Sequence, residues 1–515
     1  MNNSRNLQVT PEPARDGSTT VRIGERYLHS RYNPQREASN FAKQIPDCSQ
    51  AAIIFVIGAA LSSVAEAILD HAPHVGAIIS LEPGAECVDP PSKDPRCTRL
   101  PIDTLSPGQI RRVVRSRVKP WELGRVHVVV WPAAESIIPE WTSAVGSRMV
   151  EAMQDVRSEM ATIAVFGRRW LHNALFGALS WNYRYTVSPH HTPLMIATSG
   201  PSLDRIQPTD IQDGRGIIAT SSSLRWFRHH KVPVKLVVHT DGGVWASRYL
   251  VDARNDAIIS LPIRSARLGV SHPMPLRTGW IGEELAIDAQ SWPLLPEQPT
   301  VGASVLALAA RVTTGDLYVT GLDLCSRDLL GHAAPHRNDQ FFRTRCNRLY
   351  PEVHQRAERL WHRGERMEQQ WDTGEIGWQD PAMTTYQPVL EDMLQQLRPR
   401  QLHRLSGASP VLKHLGTLHR EGPLPQREEL SFVRHERPSR SERVRRATLT
   451  LRQWEEVLRS APEPLGLHDP VYGELALHLA PAELTQWAGR SASWDAVTSA
   501  AVHHLQTMRR RAGRE

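Results

Sequence analysis

Hydrophobic residues along this chain fall into short, nearly unbroken runs that end in glycine, serine and proline, with stretches of helical periodicity between them. Continuous apolar runs of strand length fit parallel strands covered on both faces. Ile53–Ile57, Val75–Glu82 and Val126–Trp131 predict three such strands, and with them an N-terminal Rossmann-like domain over 21–165. Met195–Ala197, Gly216–Thr220, Val234–Val238 and Leu317–Thr320, closed by Gln401–Ser406, predict a central α/β domain over 166–410. Trp170, Leu171, Leu175, Leu179 and Trp181 lie at helical spacing and predict a connector over 161–185, and 338–398 has helical periodicity as well. From 425 to 515 the pattern is helical, broken by Pro462, Pro464 and Pro470, and predicts a C-terminal helical domain; residues 1–20 read as a flexible arm. The fold class is α/β: two Rossmann-like parallel-sheet domains plus a C-terminal helical domain.

The turns that close these runs carry the candidate chemistry. Met195 to Ala197 leads into Ser199-Gly200-Pro201-Ser202, where a tight turn aims backbone N–H groups and a helix N-terminus at one point, an arrangement suited to phosphate. Gly200 permits close approach, Pro201 is pre-set for a first helical turn, and Ser202 adds a hydroxyl. Similar turns come after later strands: Ser221-Ser222-Ser223, Asp241-Gly242-Gly243, Gly302-Ala303-Ser304 and Gly321-Leu322-Asp323-Leu324. In an open parallel sheet such turns cluster at the carboxyl ends of the strands, where ligands bind.

Composition narrows the classes. Hydrophobic residues make up 40% and charged residues 22%, so the chain is ordinary globular material, and 515 residues are enough for two or three domains. A net charge of +7 is small for this length, and no zinc-finger, RNP or basic-zipper pattern accompanies it, so nucleic acid is not an expected partner. Arg434, Arg437, Arg440, Arg443, Arg445 and Arg446 crowd together and read as a solvated linker and helix face. No apolar run reaches membrane-helix length and the first residues lack a signal-like apolar core, which points to a cytoplasmic protein without membrane insertion. Five cysteines without CxxC spacing argue against a disulfide framework or structural zinc, and Cys325 reads as a buried filler.

Asp16-Gly17, Leu28-His29-Ser30-Arg31-Tyr32-Asn33-Pro34, Gly200-Pro201-Ser202-Leu203, Gly302-Ala303-Ser304-Val305 and Gly321-Leu322-Asp323-Leu324 with His332-Ala333 stand in that order along the chain. The succession, over roughly residues 15–345, resembles the motility accessory factor glycosyltransferases. That resemblance implies transfer of a nonulosonic (sialic-acid-like) sugar from a CMP-linked donor to flagellin Ser/Thr hydroxyls, supporting flagellar assembly. The central domain of that family is also similar to bacterial sialyltransferases and to a 6-hydroxymethylpterin diphosphokinase. Three positions depart from the family pattern: Thr198 and Ala303 stand where relatives carry glycine, and Gly58-Ala59-Ala60 replaces a glycine-rich loop. With so little room for a pyrophosphate, the Gly58 turn reads as a structural relic, and Glu82 after the second strand as a residue without its ribose.

Sugar transfer from a nucleotide needs a phosphate clamp, a stabilised leaving group and a base for the acceptor. Backbone N–H groups of Gly200 and Ser202, with Pro201 shaping the turn and the hydroxyls of Ser199, Ser202, Ser221, Ser222 and Ser304, are the expected clamp, and Gly302 opens the helix behind it. Asp241 contacts ribose or acceptor, or else caps its own turn. Asp323 is a catalytic candidate at the matched motif position, and His332 is the first choice for base or leaving-group acid, with His336 beside it. No Asp-x-Asp pair ends a strand, which suits a single-phosphate donor without a metal. Two alternatives stay open: a pterin diphosphokinase-like enzyme, which would need Mg2+, and a flagellin-binding assembly factor without catalysis.

Overall fold

The computed structural model describes residues 8–45, 51–84, 86–102, 107–266, 270–364, 367–371, 374–397, 402–405, 411–415, 417–419, 425–460, 470–488 and 491–513. The chain forms two compact units, Met1–Gly167 with Gln453–Leu505, and Arg168–Arg452 with Gln506–Glu515. The helix Pro139–Ser180 begins in the first and ends in the second, so the expected connector is the last part of a 42-residue helix.

The first unit is built on four parallel strands in the order Cys97–Ile102, Ala77–Pro83, Ile53–Ile57, Val126–Val130. Every residue of Ile53–Ile57 is buried, because Val64, Ile68 and their neighbours on the helix Ser62–His71, with Val145, Met149 and Ala152 on the long helix, belong to the same core. Two expectations need correction here. Val9–Pro13 pairs antiparallel with Thr19–Ile23, and Val21 and Leu28 are buried, so most of the supposed flexible arm is a hairpin; its residues 1–7 lie outside the described residues. The helices Pro470–Leu479, Pro481–Ala488 and most of Trp494–Ala512 form no third domain and belong to the first unit. Their apolar faces need partners: a Cβ on Gly473 would run into the Trp121 indole, and one on Gly167 would lie 2.9 Å from His478, so both glycines exist to let those elements touch.

The second unit carries eight parallel strands. Their order is Pro273–Leu276, Ile258–Pro262, Leu236–Val238, Ile217–Thr220, Leu194–Ala197, Leu317–Thr320, Leu402–Leu405, Thr417–His419. Alternate residues enter two different cores. Leu194, Ile196, Ile218, Leu236 and Val238 pack under the helix Val301–Val312, whereas Met195, Ala197, Ile217, Ala219 and Val237 face Leu203, Trp226 and Phe227. That two-sided burial is why these strands read as unbroken apolar runs.

Outside the sheet the segment 338–398 is not wholly helical. Met367–Gln370 and Ile376–Gln379 pair antiparallel, with Ser326–Arg327 beside them. Trp371 is buried in this small cluster, whereas Trp361 is exposed. The arginine-rich stretch is also less solvated than expected. Arg437 is buried, donates to the carbonyls of Gly177 and Trp181, and pairs with Asp288 at 2.7 Å; Arg443 is buried and donates to the Leu179 carbonyl and Asn182.

Candidate active site

Strand order reverses between Leu194–Ala197, the first strand of the large sheet, and Leu317–Thr320, which enters on its other side. The carboxyl ends of two strands that diverge in connection leave a crevice, the usual ligand position in such sheets. The Ser199-Gly200-Pro201-Ser202 and Gly321-Leu322-Asp323-Leu324 turns meet there. The Gly200 N–H donates to the Gly321 carbonyl at 2.8 Å, the Ser202 N–H to Asp323 Oδ2 at 2.8 Å, and the Gly321 N–H to Ser202 Oγ at 2.8 Å. Gly321 has φ +75°, and a Cβ on Gly200 would run into the Gly321 carbonyl and the Asp323 carboxylate, so both glycines are set by this close approach.

This lock changes the expected clamp. The two N–H groups assigned to phosphate are already bonded within the protein, Ser202 is fully buried, and Asp323, 2% exposed, acts as the acceptor that holds the turns together. Pro201 opens a short 3-10 helix, Pro201–Arg205, not an α-helix. Ser304 is buried with its hydroxyl donating to the Thr300 carbonyl at 3.2 Å, and Thr300 Oγ1 caps the helix by accepting from the Ala303 N–H at 3.1 Å. Gly302 is there for packing, since a Cβ would sit 2.7 Å from the Leu322 side chain. Asp241 is exposed and accepts from the Gly243 N–H at 2.6 Å, the turn-capping geometry; Gly242 makes room for the Trp170 indole. Thr198, at the position of a family glycine, is buried with an unpartnered hydroxyl.

Ser199, Ser222 and His332 stay partly open. Ser222 Oγ donates to Ser199 Oγ at 2.9 Å, and Ser199 Oγ lies 3.3 Å from His332 Nδ1. The Ser199 carbonyl accepts from the Ala333 N–H at 2.9 Å, which fixes the histidine loop against the turn. Ser221 points away and is bonded to the buried His239 at 2.9 Å. His332 and His336 stack with centroids 4.1 Å apart. Burial, then the charges of Arg363 and Arg359, lower His332 to about 4. Burial, His332 and Arg359 hold His336 well below the usual imidazole value. Both rings are therefore uncharged at neutral pH.

Those arginines are not among the residues expected from the sequence. Arg356 and Arg359 lie on the helix Glu352–Trp361 and Arg363 in the turn after it. Their spacing of three and four residues, one helical face, was the available signal. Together with His332, His336 and Asn338 they bound a cavity of about 110 Å3. A larger one, about 550 Å3, is lined by Val232, Val234, Asn255 and Asp256, which precede their strands, so it opens at the amino edge of the sheet, away from these groups. Among the described residues no group of three or more His, Cys, Asp or Glu is placed to hold a metal ion, and no helix is long and apolar enough to cross a membrane.

The corresponding turn in the first unit is filled by the protein's own carboxylates. Glu82, 1% exposed, accepts from the Ala60 N–H and from Arg99 Nε at 3.1 Å. Asp89 accepts from the N–H and hydroxyl of Ser62 at 3.0 and 2.6 Å, at the start of the helix Ser62–His71. Arg99 pairs with both acids and donates to the Ala60 carbonyl at 2.7 Å. A helix N-terminus that already faces Asp89 offers a pyrophosphate only competition and repulsion.

No known family profile matches the chain. An uncharacterised protein of Treponema pallidum (strain Nichols) is 23% identical over 229 residues, 43% of this chain, and the chain spans about half (51%) of that relative's length. Among solved structures, the MAf glycosyltransferase from Magnetospirillum magneticum AMB-1 superposes with a TM-score of 0.53 at 13% identity, covering 98% of this chain and 92% of that one. The chain thus shares its fold, along nearly its whole length, with that glycosyltransferase.

Proposed function

We propose that the protein is a glycosyltransferase that moves a nonulosonic sugar from a CMP-linked donor to Ser/Thr hydroxyls of flagellin in the cytoplasm. The observation that carries this reading is the meeting of Ser199, Ser222 and His332 at the switch point of the large sheet, on a backbone lock made by Gly200, Ser202 and Asp323. The whole-length fold likeness to a MAf glycosyltransferase supports it.

In this reading the Ser199 hydroxyl donates to the donor phosphate, in place of the backbone N–H groups consumed by the lock, and Ser222, whose own hydroxyl donates to Ser199 Oγ, holds it in position. The bond between the anomeric carbon and the phosphate oxygen breaks, CMP leaves with that electron pair, and the acceptor oxygen bonds to the anomeric carbon. The acceptor proton goes to Nε2 of the uncharged His332 ring, in the tautomer whose Nδ1–H donates to Ser199 Oγ. Asp323 positions the turn and touches no substrate.

Intact-mass analysis of flagellin from cells with and without this chain tests the reading; an unchanged glycan mass overturns it. Ser199→Ala should weaken CMP binding by about tenfold, the value of one hydrogen bond to a charged group. His332→Ala should remove transfer with CMP affinity retained. The internal use of the Gly200 and Ser202 N–H groups favours one other reading, a flagellin-binding assembly factor without turnover. Tight flagellin binding with no heat of CMP binding in calorimetry would select it.

A further inference from the structure

We propose that the cavity bounded by Arg356, Arg359, Arg363, His332, His336 and Asn338 is a subsite for a second oxyanion of the donor, the carboxylate of an acidic sugar, distinct from the phosphate held by the serines. This deepens the transferase reading and rests on it. Three features of the site carry the inference: its size, its charge and its unfilled bonding capacity.

At about 110 Å3 the cavity has room for three or four waters at roughly 30 Å3 each, enough for one carboxylate or phosphate group and too little for a nucleotide. It therefore takes an appendage of a ligand whose bulk lies outside, toward Ser199 and Ser222.

The charge lining it is positive and incompletely balanced. Arg356 pairs with Asp339 and with Glu352, each at 2.6 Å, and Arg363 with Asp380 at 2.8 Å. Arg359 has no carboxylate partner among the described residues; its guanidinium stands over the Phe342 ring, 5.7 Å from the centroid. Of the lining residues three are arginines and one, Asp339, is acidic. Holding guanidinium groups together at a partly desolvated site is unfavourable without an anion between them. Burial and the charge of Arg363 both push Arg359 below its ordinary value.

The bonding capacity is open as well. His336 Nε2 is buried without a hydrogen-bond partner, and the arginine charges converge on both imidazoles. An oxyanion here would accept from Arg359 and offset the charges that hold His332 down, so that donor binding makes His332 a better base. A carboxylate suits the geometry because it sits on the anomeric carbon of a nonulosonic sugar, one bond from the phosphate oxygen.

Calorimetry on the full chain with CMP, CMP-N-acetylneuraminate and inorganic phosphate tests this. The wild type should bind the acidic-sugar nucleotide about tenfold more tightly than CMP, the value of one charge-assisted contact. Arg359→Gln should erase that advantage and leave CMP affinity unchanged, and Arg359→Lys should restore part of it. Equal affinities in the wild type, or an equal loss of both ligands in Arg359→Gln, overturns the subsite. Phosphate tests the cavity independently of the transferase reading: it should raise the melting temperature of the wild type and not that of Arg359→Gln, and an equal response of the two overturns the cavity's role. If neither nucleotide binds while phosphate still distinguishes the two proteins, the transferase reading fails and the anion site stands.

Discussion

Gly200→Ala is the sharpest test of the turn lock. A Cβ at this position lies 2.9 Å from the Gly321 carbonyl carbon, and closer still to its oxygen and to Asp323 Oδ2. Neither neighbour is a free side-chain end: one is backbone and the other a carboxylate 2% exposed. Relief requires separating the turns, which breaks the Gly200–Gly321 and Ser202–Asp323 hydrogen bonds, both 2.8 Å. A neutral bond is worth about 0.5–1.5 kcal/mol and one to a charged group about 1.5–3 kcal/mol, so the pair sets a loss of roughly 2–4 kcal/mol. Direct overpacking without separation costs about 1–3 kcal/mol, and the chain takes the cheaper course. The expected loss is therefore about 1–3 kcal/mol, or roughly 2–5 °C in the melting temperature of a unit this size. Differential scanning calorimetry reads the transition of the second unit directly. A shift under about 1 °C would refute the reasoning, because it would mean the two turns are not in contact and the proposed site is not assembled.

Other expectations concern both units. Gly146→Ala, in the long helix with nothing within 4 Å of the added Cβ, should stabilise by about 0.5–1 kcal/mol in the same calorimetric scan. Asp89→Ala removes one of the two carboxylates paired with Arg99, whose side chain is 5% exposed, and leaves Glu82 as its partner, so it should cost about 1.5–3 kcal/mol by urea denaturation, the value of one hydrogen bond to a charged group. His239 and His332 stand at about 4 in the folded chain against 6.5 otherwise, so the unfolded chain takes up protons first. Their effect is absent above pH 7 and withdraws stability as pH falls from 6.5 to 4; His239→Asn should flatten that slope in denaturant midpoints measured across the window.

The apolar runs locate the strands at the middle of each sheet, because a strand covered on both faces must be hydrophobic at every position, as Leu194–Ala197 and Ile53–Ile57 are; Cys97–Ile102, Ile258–Pro262, Pro273–Leu276 and Thr417–His419 were not read from the sequence. The turns after those strands are legible for the same local reason: glycine, proline and serine mark where a chain leaves a sheet. Ser199 and Ser222 are visible in this way, whereas His332 was singled out by the family resemblance of its motif. The C-terminal helices read wrongly as a separate domain because proline breaks are local, whereas the burial of Tyr472 and Leu475 depends on what packs against them.

Which hydrogen bonds the turns make was decided only by tertiary structure. Strand order sets Gly200 beside Gly321 across 121 residues of chain, and that adjacency turns the presumed phosphate donors inward and makes Asp323 their acceptor. Sequence gives each backbone N–H its presence; only the neighbour brought alongside it determines whether the group is spent within the protein or left for a ligand. The same holds for the arginines after Glu352, whose spacing was visible but whose convergence on two histidines required the fold.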